Sequence, residues 1–255
     1  MKRNLPSLVG LIPAAGKGTR LGAMPLSKEI LPIAVNQKNG VPKVQVVADC
    51  LLQHFAAAGI DQVYWVIGRG KWDIPNYFSH AAKIASAYVV IENSPNTPTT
   101  LSAAVPFIAD RCVALGFPDI LFDAPDAFNQ IYRELGKRKA DVVLGLFPAA
   151  LPQSQDVVEV DDKGIVQRIF VKPKRTKLTH TWGIAVWTPT FSAFLSEWVV
   201  RHARSRKSPS KEMYVSDAVL AAMKQGLRVC AVNVSEQPFF DIGLPENLQR
   251  TWRGD

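Results

Sequence analysis

Apolar runs alternate with amphipathic stretches through the first 150 residues, and that rhythm restricts the chain to few folds. Residues 7–13 (SLVGLIP) read as a buried strand, and residues 41–59 (VPKVQVVADCLLQHFAAAG) as a helix stopped by Gly59. Residues 61–68, 87–92, 112–117 and 141–147 read as further strands, with helices over 74–84, 99–109 and 125–138 between them. Strands flanked by helices in this order imply an α/β fold, a Rossmann-like and mostly parallel sheet sandwiched by helices. Beyond residue 150 the rhythm changes. Residues 156–170 (DVVEVDDKGIVQRIF) spell two short alternating strands about a DDKG turn, an inserted β-hairpin. A strand at 182–189, helices near 189–203 and 213–225, a strand at 227–234 and a terminal helix at 245–252 follow. With no Gly/Ser- or Pro-rich linker and no internal repeat, the expectation is one domain over 1–255 with the hairpin as a subregion.

Composition narrows the functional classes. The chain is 47% hydrophobic and 20% charged, as in a globular protein rather than a disordered one. Thirty Lys and Arg against 22 Asp and Glu give a net charge of +8, which favours anionic partners such as nucleotides or sugar phosphates. A membrane or nucleic-acid partner is not expected. The apolar N-terminal stretch is too short to span a bilayer and is interrupted by Pro13 and Gly16. The basic run at 201–211 carries much of the excess charge but shows no aromatic interleaving or helix–turn–helix spacing. Cys50, Cys112 and Cys230 lie far apart in no CxxC arrangement, which argues for a reducing, cytoplasmic setting. His54, His80, His180 and His202 fall in no metal-ligand spacing.

The stretch from Leu11 to Ile33 (LIPAAGKGTRLGAMPLSKEILPI) carries the strongest chemical signal. It is not a Walker A loop: five residues separate Gly10 from Gly16-Lys17, and Gly18 stands at the hydroxyl position. It is not the dinucleotide fingerprint either, because Gly22 arrives one residue late after Gly16 and Gly18. Its physics still suits phosphate. Ala14, Ala15, Gly16 and Gly18, with Thr19, allow close backbone approach and expose N–H groups. Arg20 and Lys28 add full positive charge nearby.

Taken whole, AAGKGTRLGAMPLSKEILPI resembles the G-x-G-T-R-L…K-x-L-L-P-I signature of sugar-1-phosphate nucleotidylyltransferases, glucose-1-phosphate thymidylyltransferases in particular. Further landmarks of that family recur in order: LGFPDILF at 115–122, VVEVDDKGIVQRIFVKP at 157–173, TWGIAVWTP at 181–189, MYVSDAVLAAMKQG at 213–226 and FFDIGLPENL at 239–248. The resemblance implies the nucleotide-diphospho-sugar transferase type of fold, with a nucleotide-binding half (1–150) and a sugar-phosphate-binding half (151–255). It also implies Mg²⁺-dependent transfer of a nucleotidyl group from dTTP or UTP to a sugar 1-phosphate.

By the same resemblance Arg20 holds the triphosphate, Lys28 the α-phosphate or pyrophosphate, and Lys172 the sugar phosphate. Asp119 and Asp241 are the implied Mg²⁺ ligands, a donor set that suits a hard cation. Glu92 and Asn93 fall where a pyrimidine edge is read, with Thr100 in the same nucleotide-binding segment, and Asp156 and Gly183 where the sugar is held. Asp217 after Ser216 suits a helix cap and is left out of the metal site. Homo-oligomers are common in the family, so a second copy of the chain counts among the expected partners.

Three positions depart from the pattern. Thr100 replaces the glycine of a Gly-Leu-Ala helix start, Val171 replaces the glutamate of Glu-Lys-Pro, and Asp156 stands near a glycine that faces the sugar. A valine expected to be buried there cannot pair a sugar hydroxyl. These departures keep a non-catalytic nucleotide-binding relative open as an alternative. A cytidylyltransferase acting on an alcohol phosphate shares the Ala-Ala-Gly-x-Gly-x-Arg loop and is a second alternative; Lys-x-x-Leu-Pro-Ile and Asp-Ile-Gly-x-Pro argue against it.

Overall fold

The computed structural model describes residues 5–38, 41–81, 84–205 and 213–253. Strands β1 (Leu8–Ala14), β2 (Pro32–Lys38) and β3 (Val41–Val46) come first, then helix α1 (Val47–Ala57), β4 (Gln62–Gly68), α2 (Asp73–Ala81) and β5 (Ala85–Ile91). Helices α3 (Thr97–Ser102) and α4 (Val105–Ile108) precede β6 (Cys112–Gly116), the short β7 (Ile120–Leu121), α5 (Ala127–Lys137) and β8 (Val142–Pro148). The remainder comprises β9 (Val157–Val160), β10 (Val166–Phe170), β11 (His180–Trp187), α6 (Pro189–Ser205), α7 (Val215–Lys224), β12 (Val229–Asn233), β13 (Phe240–Asp241) and α8 (Pro245–Arg253).

The expected α/β architecture is present. In the nine-stranded sheet β5, β4, β1 and β6 are parallel neighbours, and β12 runs parallel to β8. Strand β11 runs antiparallel between β6 and β8, and its end at Thr181 meets Val157 of the β9–β10 hairpin. The strands read as nearly continuous apolar runs because both faces are covered. On one face Val9, Leu11, Leu144 and Trp187 pack with Leu101, Phe191 and Val219 of α3, α6 and α7. On the other, Ile12, Trp65 and Phe147 pack with Phe55, Phe78 and Phe128 of α1, α2 and α5. Both clusters draw on residues before and after position 150.

Two expected helices are corrected. Residues 41–46 belong to β3, which pairs with β2 in an antiparallel hairpin, so the helix expected from 41 begins only at Val47. The VPKVQVV stretch has a period of two, and the Asp49 carboxylate accepts the Val46 N–H at 3.0 Å, fixing the start of α1. The helix expected over 99–109 is two short pieces instead, each with a proline in its first turn. The cap of the first piece is Asn96, which accepts the Thr99 N–H at 2.9 Å. Within the basic run, residues 201–205 continue α6, and residues 206–211 lie outside the described residues.

Candidate active site

Strands β1, β4, β5 and β6 are parallel, so the loops that leave their C-terminal ends lie along one edge of the sheet. Strand β1 is flanked by β4 on one side and β6 on the other, and a crevice opens where the connections diverge. A cavity of about 760 Å³ occupies this edge, lined by Gly16, Gly18 and Lys28 of the first loop, Lys71 after β4, and Glu92 and Asn93 after β5.

The first loop leaves β1 at Ala14 and reaches the turn that carries Lys28. Ala14 and Ala15 are buried, while Gly16 and Thr19 are exposed. Gly18 (φ 64°) and Gly22 (φ 78°) adopt left-handed backbone on either side of a 3₁₀ turn, Thr19–Leu21. That turn leaves the Arg20 side chain 58% exposed with Nη1 3.7 Å from Asp241 Oδ2. A second 3₁₀ turn, Lys28–Ile30, directs the Lys28 ammonium onto the Asp119 carboxylate.

Asp119 and Asp241 are far apart in sequence but adjacent in space. The two-residue strands β7 and β13 pair antiparallel, setting Asp241 opposite Ile120, and the Ile242 N–H donates to the Asp119 carbonyl at 3.0 Å. Gly243 permits the approach. A Cβ there would lie 2.8 Å from Arg20 Nη2, 2.9 Å from Asp241 Oδ1 and 3.1 Å from Asp119 Oδ2. The Gly243 N–H also donates to Asp241 Oδ1 at 2.8 Å, and Asn247 Nδ2 donates to the Asp241 carbonyl at 2.7 Å.

The charges are strongly coupled. Burial acts to raise the Asp119 carboxyl, but the Lys28 charge and hydrogen bond, with Arg20 beyond, hold it below the usual carboxylate range. Burial acts to lower Lys28, and Asp119, Glu29 and Asp241 together hold it above the ordinary lysine value. Asp241 is pushed up, first by burial and then by the like charge of Asp119, with Arg20 opposing. Two facing carboxylates that repel each other fit a divalent cation, which takes one or two carboxylates and completes its shell from substrate oxygens. No group of three or more metal-type ligands occurs among the described residues.

Glu92 stands at the cavity rim, 68% exposed, with both oxygens within 3.1 Å of Arg69 Nη1. Thr100 does not line the cavity. It is buried, and its hydroxyl bonds to Ser94 Oγ and, at 3.2 Å, to the Asn96 carbonyl, so it braces the loop behind Asn93.

Lys172 and Asp156 belong to a second cluster, apart from the cavity lining. Lys172 is exposed, has φ 42°, and sets its ammonium 4.3 Å over the Tyr214 ring. Asp156 Oδ2 accepts from Ser216 Oγ at 2.6 Å, and Ser216 Oγ accepts from Trp182 Nε1 at 2.9 Å. Asp156 Oδ1 is buried with no hydrogen-bond partner among the described residues. Burial pushes the Asp156 carboxyl up, against the Ser216 hydrogen bond and the Lys172 charge. Gly183 sits at a register shift in β11, where a Cβ would lie 3.0 Å from Phe239 and 3.3 Å from Phe147, so the two rings crowd this position. Val171, expected to be buried, is only partly so.

Sequence reasoning missed Lys71, Asp73, Tyr214, Trp182 and Ser216. The Gly68-Arg69-Gly70-Lys71 stretch after a strand was a readable signal for the first two. Trp182, Tyr214 and Ser216 lie within the 181–189 and 213–226 landmarks, but their meeting with Asp156 and Lys172 is tertiary.

A loop of glycines and cations and a pair of carboxylates, gathered at the C-terminal edge of a mostly parallel sheet, define a phosphate-handling α/β protein. The chain belongs to the nucleotidyl transferase family, which its sequence matches over residues 9–253. No curated protein sequence matches it significantly. Solved structures do resemble it. One, assigned as a glucose-1-phosphate thymidylyltransferase from Bacillus anthracis in complex with sucrose, superposes with a TM-score of 0.78 at 17% identity, covering 97% of this chain and 94% of that one. A UDP-glucose pyrophosphorylase complexed with UDP-glucose gives 0.78 at 19% identity, covering 98% of each chain. Its apo counterpart gives 0.77 at 19% identity. These likenesses establish the shared fold.

Proposed function

We propose that the protein transfers a nucleotidyl group from a pyrimidine triphosphate, dTTP or UTP, to a sugar 1-phosphate, producing a nucleotide sugar and pyrophosphate. The observation that carries this reading is the convergence of Arg20, Lys28, Asp119 and Asp241 beside Gly243. An oxygen of the acceptor phosphate attacks the α-phosphorus, and the bond from that phosphorus to the β-bridging oxygen breaks, its electron pair leaving with pyrophosphate. No protein nucleophile or proton transfer is required, so the residues act by positioning and charge neutralisation.

The N–H groups around Gly16 and Gly18 cradle the triphosphate, Arg20 neutralises the departing pyrophosphate, and Lys28 contacts the α-phosphate. Asp119 and Asp241 would hold Mg²⁺, which when bound supplies further neutralisation of triphosphate charge. Glu92 and Asn93, at the cavity rim, read the base. Lys172 binds the acceptor phosphate, and Asp156 and the β11 strand around Gly183 shape the sugar side. On this reading residues 1–150 supply the nucleotide half and 151–255 the sugar-phosphate half of one domain. The three free cysteines, two of them buried, suit a cytoplasmic enzyme.

The test is a pyrophosphate-release assay with UTP, dTTP, CTP, ATP and GTP against a panel of sugar 1-phosphates. Turnover with a pyrimidine triphosphate and a sugar 1-phosphate is expected. Triphosphate binding without turnover on any pair would remove the transfer reading.

A further inference from the structure

The segment that follows β4, Gly68-Arg69-Gly70-Lys71-Trp72-Asp73, braces the first loop at several points. Gly68 packs so close that a Cβ would sit 3.0 Å from the Ala15 carbonyl oxygen. Asp73 accepts the Ser27 N–H at 2.6 Å and the Ser27 hydroxyl at 2.8 Å. Between them, Lys71 Nζ donates to the Ala14 carbonyl at 2.7 Å, to the Gly16 carbonyl at 3.1 Å, and to both oxygens of Glu29 at 2.9 and 2.8 Å. Glu29 is fully buried, at 0% exposure.

An ion pair of this kind contributes little to stability, since well-packed apolar groups of similar size commonly serve as well. Its geometry does something an apolar pair cannot. In a trans peptide the carbonyl and the following N–H point in opposite directions. With the Ala14 and Gly16 carbonyls drawn to Lys71, the N–H groups of Ala15 and Lys17 are turned away from it. Ala15, Gly16 and Lys17 all line the cavity. Glu29 belongs to the same 3₁₀ turn as Lys28, so the same ammonium also fixes the platform from which Lys28 reaches Asp119.

We infer that Lys71 is a positioning residue for the triphosphate bound at the first loop. It presents the Ala15 and Lys17 N–H groups to the triphosphate and, through Glu29, holds the Lys28 turn. The inference rests on the triphosphate reading of the first loop given above.

The test compares wild type, Lys71→Met, Lys71→Arg and the double variant Lys71→Met/Glu29→Gln. Thermal melting, kcat and KM in the pyrophosphate-release assay, and calorimetric Kd for UTP and dTTP are read for each. Lys71→Met strands a buried carboxylate, so its Tm falls. The double variant removes that charge and recovers Tm, yet its loop carbonyls remain untethered. Its kcat is expected to stay about ten- to a hundredfold below wild type, with Kd for the triphosphate raised and the acceptor KM spared. Lys71→Arg, which keeps the charge and donors, should recover part of kcat. A double variant with wild-type kcat and Kd would overturn the inference while leaving the transfer reading intact. A wild type that binds no triphosphate would overturn both, and one that binds but does not turn over would overturn only the transfer reading, since Kd in the double variant still tests Lys71. If Lys71→Met does not fold, the double variant alone carries the comparison.

Discussion

Gly243 is the point where the two halves of the proposed site touch, and replacing it with alanine separates geometry from folding. The added Cβ would lie 2.8 Å from Arg20 Nη2, 2.9 Å from Asp241 Oδ1 and 3.1 Å from Asp119 Oδ2, whereas ordinary contact begins near 3.4 Å. Arg20 must therefore retreat by 0.6 Å, Asp241 by 0.5 Å and Asp119 by 0.3 Å. Arg20 is exposed and moves cheaply, but Asp119 is tied to Lys28, and Asp241 is held by the Gly243 N–H and opposite β7. Gly243 is not among the left-handed glycines, so alanine accepts its backbone, and loss of unfolded-state freedom offsets part of the steric cost. Stability should change by no more than about 1 kcal/mol. Turnover should not survive as well. A misplacement of about 1 Å at a transfer site costs on the order of a hundredfold, so shifts of half that size should lower kcat/KM by roughly tenfold. Thermal melts and steady-state pyrophosphate release on Gly243→Ala measure both. Wild-type turnover, or a loss of activity matched by a large fall in Tm, would refute the idea that Gly243 is there to let the carboxylates and Arg20 converge.

Other outcomes follow from the second cluster and from the proposed metal ligands. Lys172→Ala should raise the KM for the sugar phosphate far more than that for the triphosphate; equal changes would mean Lys172 does not hold the acceptor. Asp119→Asn should abolish turnover and leave a folded protein, and an unchanged rate would remove Asp119 from the site. The Asp156 carboxyl is pushed up chiefly by burial, so its contribution to stability is full below the ordinary aspartate range and declines as pH rises through its folded value. Asp156→Asn mimics the protonated form without titrating. Its Tm relative to wild type should therefore climb between pH 4 and pH 7, and a constant difference across that range would contradict the assigned burial.

How much of this was legible beforehand depended on whether the signal was local. The strands β1, β4, β6 and β8 announce themselves because both sheet faces are buried, so nearly every position is apolar. The boundary between β3 and α1 is hidden because VPKVQVV runs straight into the helix with neither a glycine nor a gap, and the capping Asp49 is the third residue of α1. The antiparallel course of β11 is invisible in its own residues, which are as apolar as any parallel strand. At the candidate site, Asp119 and Asp241 each sit in a landmark of the family pattern, whereas their pairing through β7 and β13 is purely tertiary. Val171 and Gly183 show the opposite lesson. The first is only partly buried, and the second lies close against Phe239 and Phe147, neither of which its local sequence announces.

The central claim is that the acceptor phosphate attacks the α-phosphorus. Phosphorus-31 NMR of a reaction containing protein, Mg²⁺, UTP or dTTP and a sugar 1-phosphate tests it directly. The account predicts the paired doublets of a diphosphate diester and the singlet of pyrophosphate, growing in equal amounts. Accumulation of nucleoside diphosphate with inorganic phosphate, or of nucleoside monophosphate without the diester, would contradict it.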